Sequence, residues 1–310
     1  MKLFLFEFAT CGEAISDEIA VEGLAMFKTL YNGFKKFFQI NSFVRKDFKD
    51  IVDLPVDVFE KFESYAENSD YFLVIAPEDE DILYNLTKIC EKYSYNLGSS
   101  SKAIEVVSDK WRLYKKLKGK VNTPKTSKKP LDSHFVVKPR KSCGGVGIKI
   151  SSDLPKGYIA QEYVKGLNLS VSLIVCDEIV PISVNEQILD GFKYIGAVIP
   201  ARIDEKTKAE VVDEAVKAVE CIKGLNGYVG VDVVYSDVPY VIEINARITT
   251  PSIAFENVYS LNVADFIYHG FFDEIKIPSS YRRFTILKEN RTTENSFATV
   301  GNYSIVLKEL

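Results

Sequence analysis

Histidine is almost missing from this chain: His134 and His269 are the only two in 310 residues. That excludes histidine-rich zinc sites and catalysis built on several histidines. Cysteine is scarce and scattered. Cys11, Cys90, Cys143, Cys176 and Cys221 are odd in number and lack any CxxC spacing, so reduced thiols in a cytoplasmic protein are expected. Apolar runs reach only five or six residues, too short to span a bilayer. Charge interrupts residues 1–7 too early for a signal peptide. A net charge of −4 leaves no basic footprint for nucleic acid or an acidic membrane. Neither a Walker loop nor a dinucleotide fingerprint occurs.

What is present is an ordinary soluble composition, 46% hydrophobic and 26% charged, in a chain long enough for a large core. Residues 1–97 alternate strand and helix: strands at 2–8, 36–44 and 71–76, helices over 16–31 and 79–93, with Ser16 as a cap. The helical spacing of the first runs through Ile19, Leu24, Phe27 and Leu30. This pattern predicts an α/β domain with a parallel sheet. Residues 97–101 break it and mark a boundary. A helix over 103–117 and a polar linker at 122–130 follow. The chain then turns β-rich, with strands at 135–138, 148–151, 158–164, 169–175 and 179–184, a helix over 206–223, and a hairpin. The tail from 277 has strand-like pieces at 283–287 and 302–307 but no motif, and reads as structural.

The hairpin joins 228–235 to 240–247, both β-branched and aromatic, through the turn-like Ser236-Asp237-Val238-Pro239. If those four residues form the loop, Tyr235 lies opposite Tyr240 and Asp232 faces Glu243 directly. Opposed Cβ atoms are roughly 4.5–5.5 Å apart, and like charges there repel. Asn245 shares the face of Glu243, opposite Gly230, which leaves space. Val231, Val233, Ile242 and Ile244 read as the core face. Oxygen-only donors at this spacing suit Mg²⁺ or Mn²⁺. A solvated outer face of a hairpin would use the same residues.

Three further stretches carry chemistry. Phe135-Val-Val-Lys138-Pro139 leads into Cys143-Gly-Gly-Val-Gly147, a turn whose backbone can cradle an anion, or a hairpin turn with incidental glycines. Tyr158-Ile-Ala-Gln161-Glu162-Tyr-Val164-Lys-Gly166-Leu-Asn168 is a strand ending in a bend that can meet a planar ligand edge. Lys193 stands among aromatics, where a solvated lysine is the ordinary reading. Glu13, in the loop after the first strand, can meet a substrate ammonium or simply be a solvated acid.

Taken in order, Asp109-Lys110, Val137-Lys138-Pro139, the glycine-rich turn, Gln-Glu-Tyr-Val-x-Gly, Gly-Val-Asp232 and Glu243-Ile-Asn245-x-Arg247 resemble the ATP-grasp superfamily over about residues 98–255. The resemblance implies an α/β N-terminal domain at 1–97, followed by an α+β ATP-grasp module of two subdomains at 98–164 and 165–310. It implies ATP as co-substrate and Mg²⁺ or Mn²⁺, two ions, on Asp232, Glu243 and Asn245. Phosphates would meet Lys110, Lys138 and Lys193 under a loop of Ser142, Gly144, Gly145 and Gly147. Gln161, Glu162 and Val164 would take the adenine edge, with Asn168 where the family often has a ribose-binding Glu. Arg247 would lie near the transferred phosphoryl, so Arg247, Lys138 and Lys193 are the catalytic candidates. Glu13, Thr249 and Thr250 are the substrate candidates.

The implied activity is ADP-forming amide ligation through an acyl phosphate. A narrower resemblance, through 6–13, 75–78 and 243–251, is to archaeal ligases of methanofuran biosynthesis that join the glutamate side-chain carboxylate to tyramine. Another amino-acid or peptide ligase, a small-molecule kinase, or a nucleotide-binding regulator are the alternatives. The expected partners are a small amine and a small carboxylate, with no nucleic acid and no membrane. The oligomeric state is open, a homo-oligomer included.

Overall fold

Lys2–Glu7 (β1) has five consecutive buried residues, the pattern of a strand covered on both faces. It lies inside a parallel sheet of order β2-β1-β3-β4, with β2 at Gln39–Ile40, β3 at Tyr71–Ile75 and β4 at Tyr95–Asn96. Parallel neighbours need crossovers. Asp17–Phe34 (α1), Phe62–Glu67 (α2) and Ile82–Cys90 (α3) supply them. The coordinates are a computed structural model that describes residues 1–132, 135–142, 144–280 and 282–310.

Several local expectations shift for identifiable reasons. The strand expected at 36–44 shrinks to two residues because side chains take over from the ladder. Asn41 Nδ2 donates to Ser69 Oγ and the Tyr65 carbonyl, and Ser42 Oγ to the Leu5 carbonyl. Ser16 stands at the N-cap of α1 without a side-chain bond, and Ile19 is exposed rather than part of the core face. The helix expected from 79 begins at Ile82, because Glu80 and Asp81 take φ of 54° and 61°, in the left-handed region. The helix expected over 103–117 splits into Ser101–Val107 (α4) and Lys110–Leu117 (α5). Asp109 breaks it by accepting from the amides of Trp111 and Arg112, capping the second piece.

Two antiparallel sheets follow. The small one has order β5-β8-β6-β7, with β5 at Thr126–Ser127, β6 at Phe135–Pro139, β7 at Lys149–Ser151 and β8 at Tyr158–Gln161. The large one has eight strands. They are β9 (Leu167–Val175), β10 (Ile179–Asp190), β11 (Lys193–Ile199), β12 (Gly227–Tyr235), β13 (Pro239–Asn245), β14 (Phe284–Glu289), β15 (Ala298–Val300) and β16 (Tyr303–Glu309). Their order is β13-β12-β9-β10-β11-β14-β16-β15. Glu205–Glu220 (α6), Phe255–Tyr259 (α7) and Val263–Phe272 (α8) pack with it. The tail is therefore part of this sheet, and β11 is a strand that periodicity did not reveal.

One continuous core runs from the parallel sheet through α1 and α8 into the large sheet. Phe37 stacks on Tyr268 across that junction with centroids 3.9 Å apart. The small sheet keeps a separate core of Phe135, Val137 and Ala160. Among the described residues no helix is long and apolar enough to cross a membrane, and Cys11, Cys90, Cys176 and Cys221 are free thiols. His134 and Cys143 lie outside the described residues.

Candidate active site

The hairpin of β12 and β13 pairs Gly230 with Asn245, Val231 with Ile244 and Asp232 with Glu243. Toward the turn the register slips by one residue, so Tyr235 faces Pro239, not Tyr240. The slip is a bulge at Ile242, and bulges re-aim side chains. Ile242 is half-buried and lines a cleft instead of joining the core face. The space beside Gly230 is also not open. A Cβ there would stand 2.9 Å from Thr249 Cγ2, so the glycine lets Thr249 pack under Asn245. Thr249 Oγ1 is 2.6 Å from the Tyr228 hydroxyl.

Asp232 accepts from Asn245 Nδ2 at 3.2 Å and from Gln187 Nε2 at 3.0 Å. Burial, and then the facing Glu243 carboxylate, push its carboxyl up to about 7. Glu243 is met by Lys110 Nζ at 3.1 Å. That lysine opens α5, whose cap Asp109 is ion-paired to Arg140, and the Lys110 amide donates to the Arg140 carbonyl at 2.9 Å. Its Nζ also donates to the Ser142 carbonyl at 2.8 Å. Lys138, on β6, is buried, and burial lowers its ammonium to about 8 although Glu243 pulls the other way.

Strand β6 of the small sheet and helix α5 thus bring buried cations to paired carboxylates on the large sheet. A lysine so desolvated gains from a polyanion, and carboxylates so crowded gain from a cation. Asp232, Glu243 and the Asn245 amide are hard oxygen donors that fit a divalent metal. No cluster of three or more His, Cys, Asp or Glu side chains suited to a metal exists among the described residues, so two carboxylates and an amide leave most of an octahedral shell to other oxygens.

The cleft between the sheets encloses about 250 Å³. Val136, Ile148, Leu189, Val234 and Ile242 line it together with Gln161, Glu162 and Val164, apolar surface suited to a flat ring. Gln161 Nε2 donates to Thr126 Oγ1 at 3.0 Å, and the Glu162 amide to the Lys125 carbonyl at 2.8 Å, which fixes the strand end. Lys138, Gly144, Gly145, Asn168, Asp232, Glu243, Asn245, Arg247, Thr249 and Thr250 line the same cleft. Gly145 has φ of 80° and abuts Phe192, where a Cβ would come within 2.1 Å of the carbonyl oxygen. Only glycine lets the turn close on the β10–β11 connection.

Other expected residues stand elsewhere. Ser142 and Lys110 are buried and outside the lining, and Gly147 is exposed and outside it too. Lys193 is half-exposed and ion-paired with Glu18 at 2.6 Å. Glu13 is exposed and outside the lining, because 8–12 wind into a single π-helical turn that carries the chain away from the strand end.

Sequence reasoning missed five residues of the wall or its support. Arg247 is held in a fork by Glu78, Nε to Oε1 at 2.7 Å and Nη2 to Oε2 at 3.0 Å. Gln187, Tyr194, Glu22 and Lys288 line the cleft. Glu78 follows a parallel strand and Pro77, a position where ligands gather, so a signal existed. Nothing local marks Glu22 or Lys288.

A glycine turn and buried lysines facing paired carboxylates, beside an apolar slot, define a nucleotide-dependent enzyme. A family model described as an ATP-grasp domain matches residues 107–251, and one described as a pre ATP-grasp 3 domain matches 49–104. A curated tyramine–L-glutamate ligase from Methanocaldococcus fervens is 44% identical over 262 residues, 80% of this chain and 87% of that protein. One from Methanocaldococcus jannaschii is 40% identical over 304 residues, 92% and 94% of the two chains. A crystal structure described as an ATP-grasp superfamily protein from Archaeoglobus fulgidus superposes with a TM-score of 0.94 at 54% identity, covering 100% of this chain and 99% of the other. The chain belongs to the ATP-grasp superfamily and is an ATP-dependent carbon–nitrogen ligase. The α/β domain with its parallel sheet and the α+β module that follows are as expected.

Proposed function

We propose that this ligase joins the side-chain carboxylate of L-glutamate to the amine of tyramine, giving γ-glutamyltyramine, ADP and phosphate, a step of methanofuran biosynthesis. Identity of 40–44% to two curated tyramine–L-glutamate ligases, over 80% and 92% of the chain, carries this reading.

In this account ATP lies between the small sheet (98–164) and the large one (165–310). Its base meets Gln161, Glu162 and Val164, and its ribose meets Asn168. Its phosphates meet Lys138 and Lys110, under the turn of Ser142, Gly144, Gly145 and Gly147. Lys193 reaches them on leaving Glu18. Asp232, Glu243 and Asn245 would hold Mg²⁺ or Mn²⁺, two ions, which when bound neutralise phosphate charge. A glutamate carboxylate oxygen attacks the γ-phosphorus and ADP leaves. The amine nitrogen then attacks the acyl carbon, phosphate leaves and the nitrogen loses a proton. Arg247, oriented by Glu78, stabilises charge on the transferred phosphoryl. No protein nucleophile is needed, in keeping with a chain that has two histidines. Thr249 and Thr250 line the cleft and would meet the acid. Both substrates are small molecules met in the cytoplasm, without nucleic acid or membrane.

The test is ATP consumption with panels of acids and amines, resolving nucleotide and organic products. ADP with γ-glutamyltyramine is expected. A stable phosphorylated acid would indicate a kinase, and a different acid–amine pair would overturn the substrate assignment.

A further inference from the structure

The cleft has a corner where α1, β11, β14 and 249–251 meet. Glu22 of α1 occupies it. Its Oε1 accepts from Lys288 Nζ and its Oε2 from Thr250 Oγ1, each at 2.6 Å. The Lys288 side chain is only 10% exposed and that of Glu22 18%, yet both line the cleft; Lys288 Nζ also lies 3.3 Å from Glu18 Oε1, a carboxylate outside the lining that Lys193 shares. Tyr194 also lines the cleft, and its buried hydroxyl makes no hydrogen bond of normal geometry among the described residues, with Thr250, Glu22 and Asp232 all close enough to act on it. Its ionisation is opposed by burial and then by the charges of Glu22 and Asp232, so it faces the corner as a neutral donor.

A pair that served only to join α1 to β14 would have no reason to line a ligand cleft beside an idle hydroxyl, since a buried hydroxyl without a partner costs free energy. An anion and a cation side by side, with a spare donor, match the head of a free amino acid.

We propose that Glu22, Lys288 and Tyr194 form the subsite for the head group of the activated amino acid. Glu22 takes the α-ammonium, Lys288 the α-carboxylate, and Tyr194 donates a second hydrogen bond to that carboxylate. The zwitterion enters by exchanging with the Glu22–Lys288 pair, and its side chain extends toward Arg247 and the metal ligands. This rests on the reading that an amino-acid side-chain carboxylate is phosphorylated. It replaces Glu13 as the ammonium partner and makes the β14 lysine a specificity determinant.

Steady-state kinetics with L-glutamate, 4-aminobutyrate (no α-carboxylate) and glutarate (no α-ammonium) test it at saturating ATP and tyramine. A charge-assisted hydrogen bond corresponds to about 10–100-fold in KM. Glu22→Gln should raise KM by about that factor for L-glutamate and 4-aminobutyrate and leave glutarate unchanged. Lys288→Met should raise it for L-glutamate and glutarate and spare 4-aminobutyrate. Tyr194→Phe should raise the glutamate KM by a smaller factor, without moving that of tyramine.

A uniform change for all three acids with a fallen melting temperature, or a change confined to tyramine, would overturn the subsite. If wild-type enzyme forms no amide from glutamate and tyramine, the substrate assignment fails separately. The same comparison then runs, by ADP release, on the amino acid it does activate and its two truncated analogues. An enzyme that activates only acids lacking an α-amino group would overturn the subsite too.

Discussion

The two sheets that wall the cleft are held in opposite ways. The large sheet shares one core with the parallel domain, and its site residues are tied across that junction by Glu78–Arg247 and Glu22–Lys288. The small sheet rests on a private core of Phe135, Val137 and Ala160 with three half-buried neighbours. Helix α5, which precedes it in the chain, is ion-paired to the large sheet through Lys110–Glu243. Regions with few buried apolar contacts open at lower free energy than the rest. Asp232, Glu243, Asn245 and the Glu22–Lys288 corner therefore sit on a stiff base, together with Lys110, whose helix buries Leu113 and Leu117 in the shared core. Lys138 and the glycine turn are carried by the part that can adjust around a nucleotide.

The largest break should come from the base. Glu243→Ala should lower turnover by about 10³-fold, since it removes a metal ligand and the partner of Lys110 together. Steady-state ADP release at modest Mg²⁺ checks this, and near-normal turnover would remove Glu243 from the machinery.

Next is Arg247→Ala, expected to lower kcat by about 10²-fold while ATP affinity changes less. It should also cost about 3 kcal/mol of stability by stranding the buried Glu78 carboxylate. Thermal melts of Arg247→Ala, Glu78→Gln and the double variant should then be less than additive.

The comparison itself is sharpened by truncating one buried residue on each side. Leu173→Ala, in the large sheet, should lower global stability by about 2–5 kcal/mol. Val137→Ala, in the small one, should speed hydrogen exchange within 126–161 and weaken ATP binding while the main unfolding transition barely moves. Equal effects on the main transition would mean that the two walls unfold as one.

The smallest effect is a pH dependence. With Lys138 at about 8 in the free enzyme, nucleotide phosphates would raise its pKa, so binding above that pH takes up a proton. Affinity should be flat below pH 8 and fall above it, by at most about tenfold per pH unit. Lys138→Met should remove that limb from titration calorimetry.

Much of the cleft wall was legible because its pattern is local. A strand ending in Lys-Pro before a glycine turn, and a hairpin whose register places Asp232 against Glu243, need only neighbouring residues to be read. The bulge at Ile242 was not legible, since neither glycine nor proline marks it. The acceptor corner was beyond reach for a different reason. Glu22 and Lys288 lie 266 residues apart, and each reads locally as a solvated residue on its element. Only the antiparallel closure of β14 against β11, over α1, brings them to one point. The tail that carried no motif thus supplies a wall of the site.

The most direct test of the central claim, amide formation through a phosphorylated carboxylate, is isotope transfer. L-Glutamate labelled with ¹⁸O in its side-chain carboxylate is turned over with ATP and tyramine, and the phosphate is analysed by mass spectrometry. The account predicts ADP, γ-glutamyltyramine and one ¹⁸O in each phosphate released. AMP with pyrophosphate, or phosphate free of ¹⁸O, would contradict it.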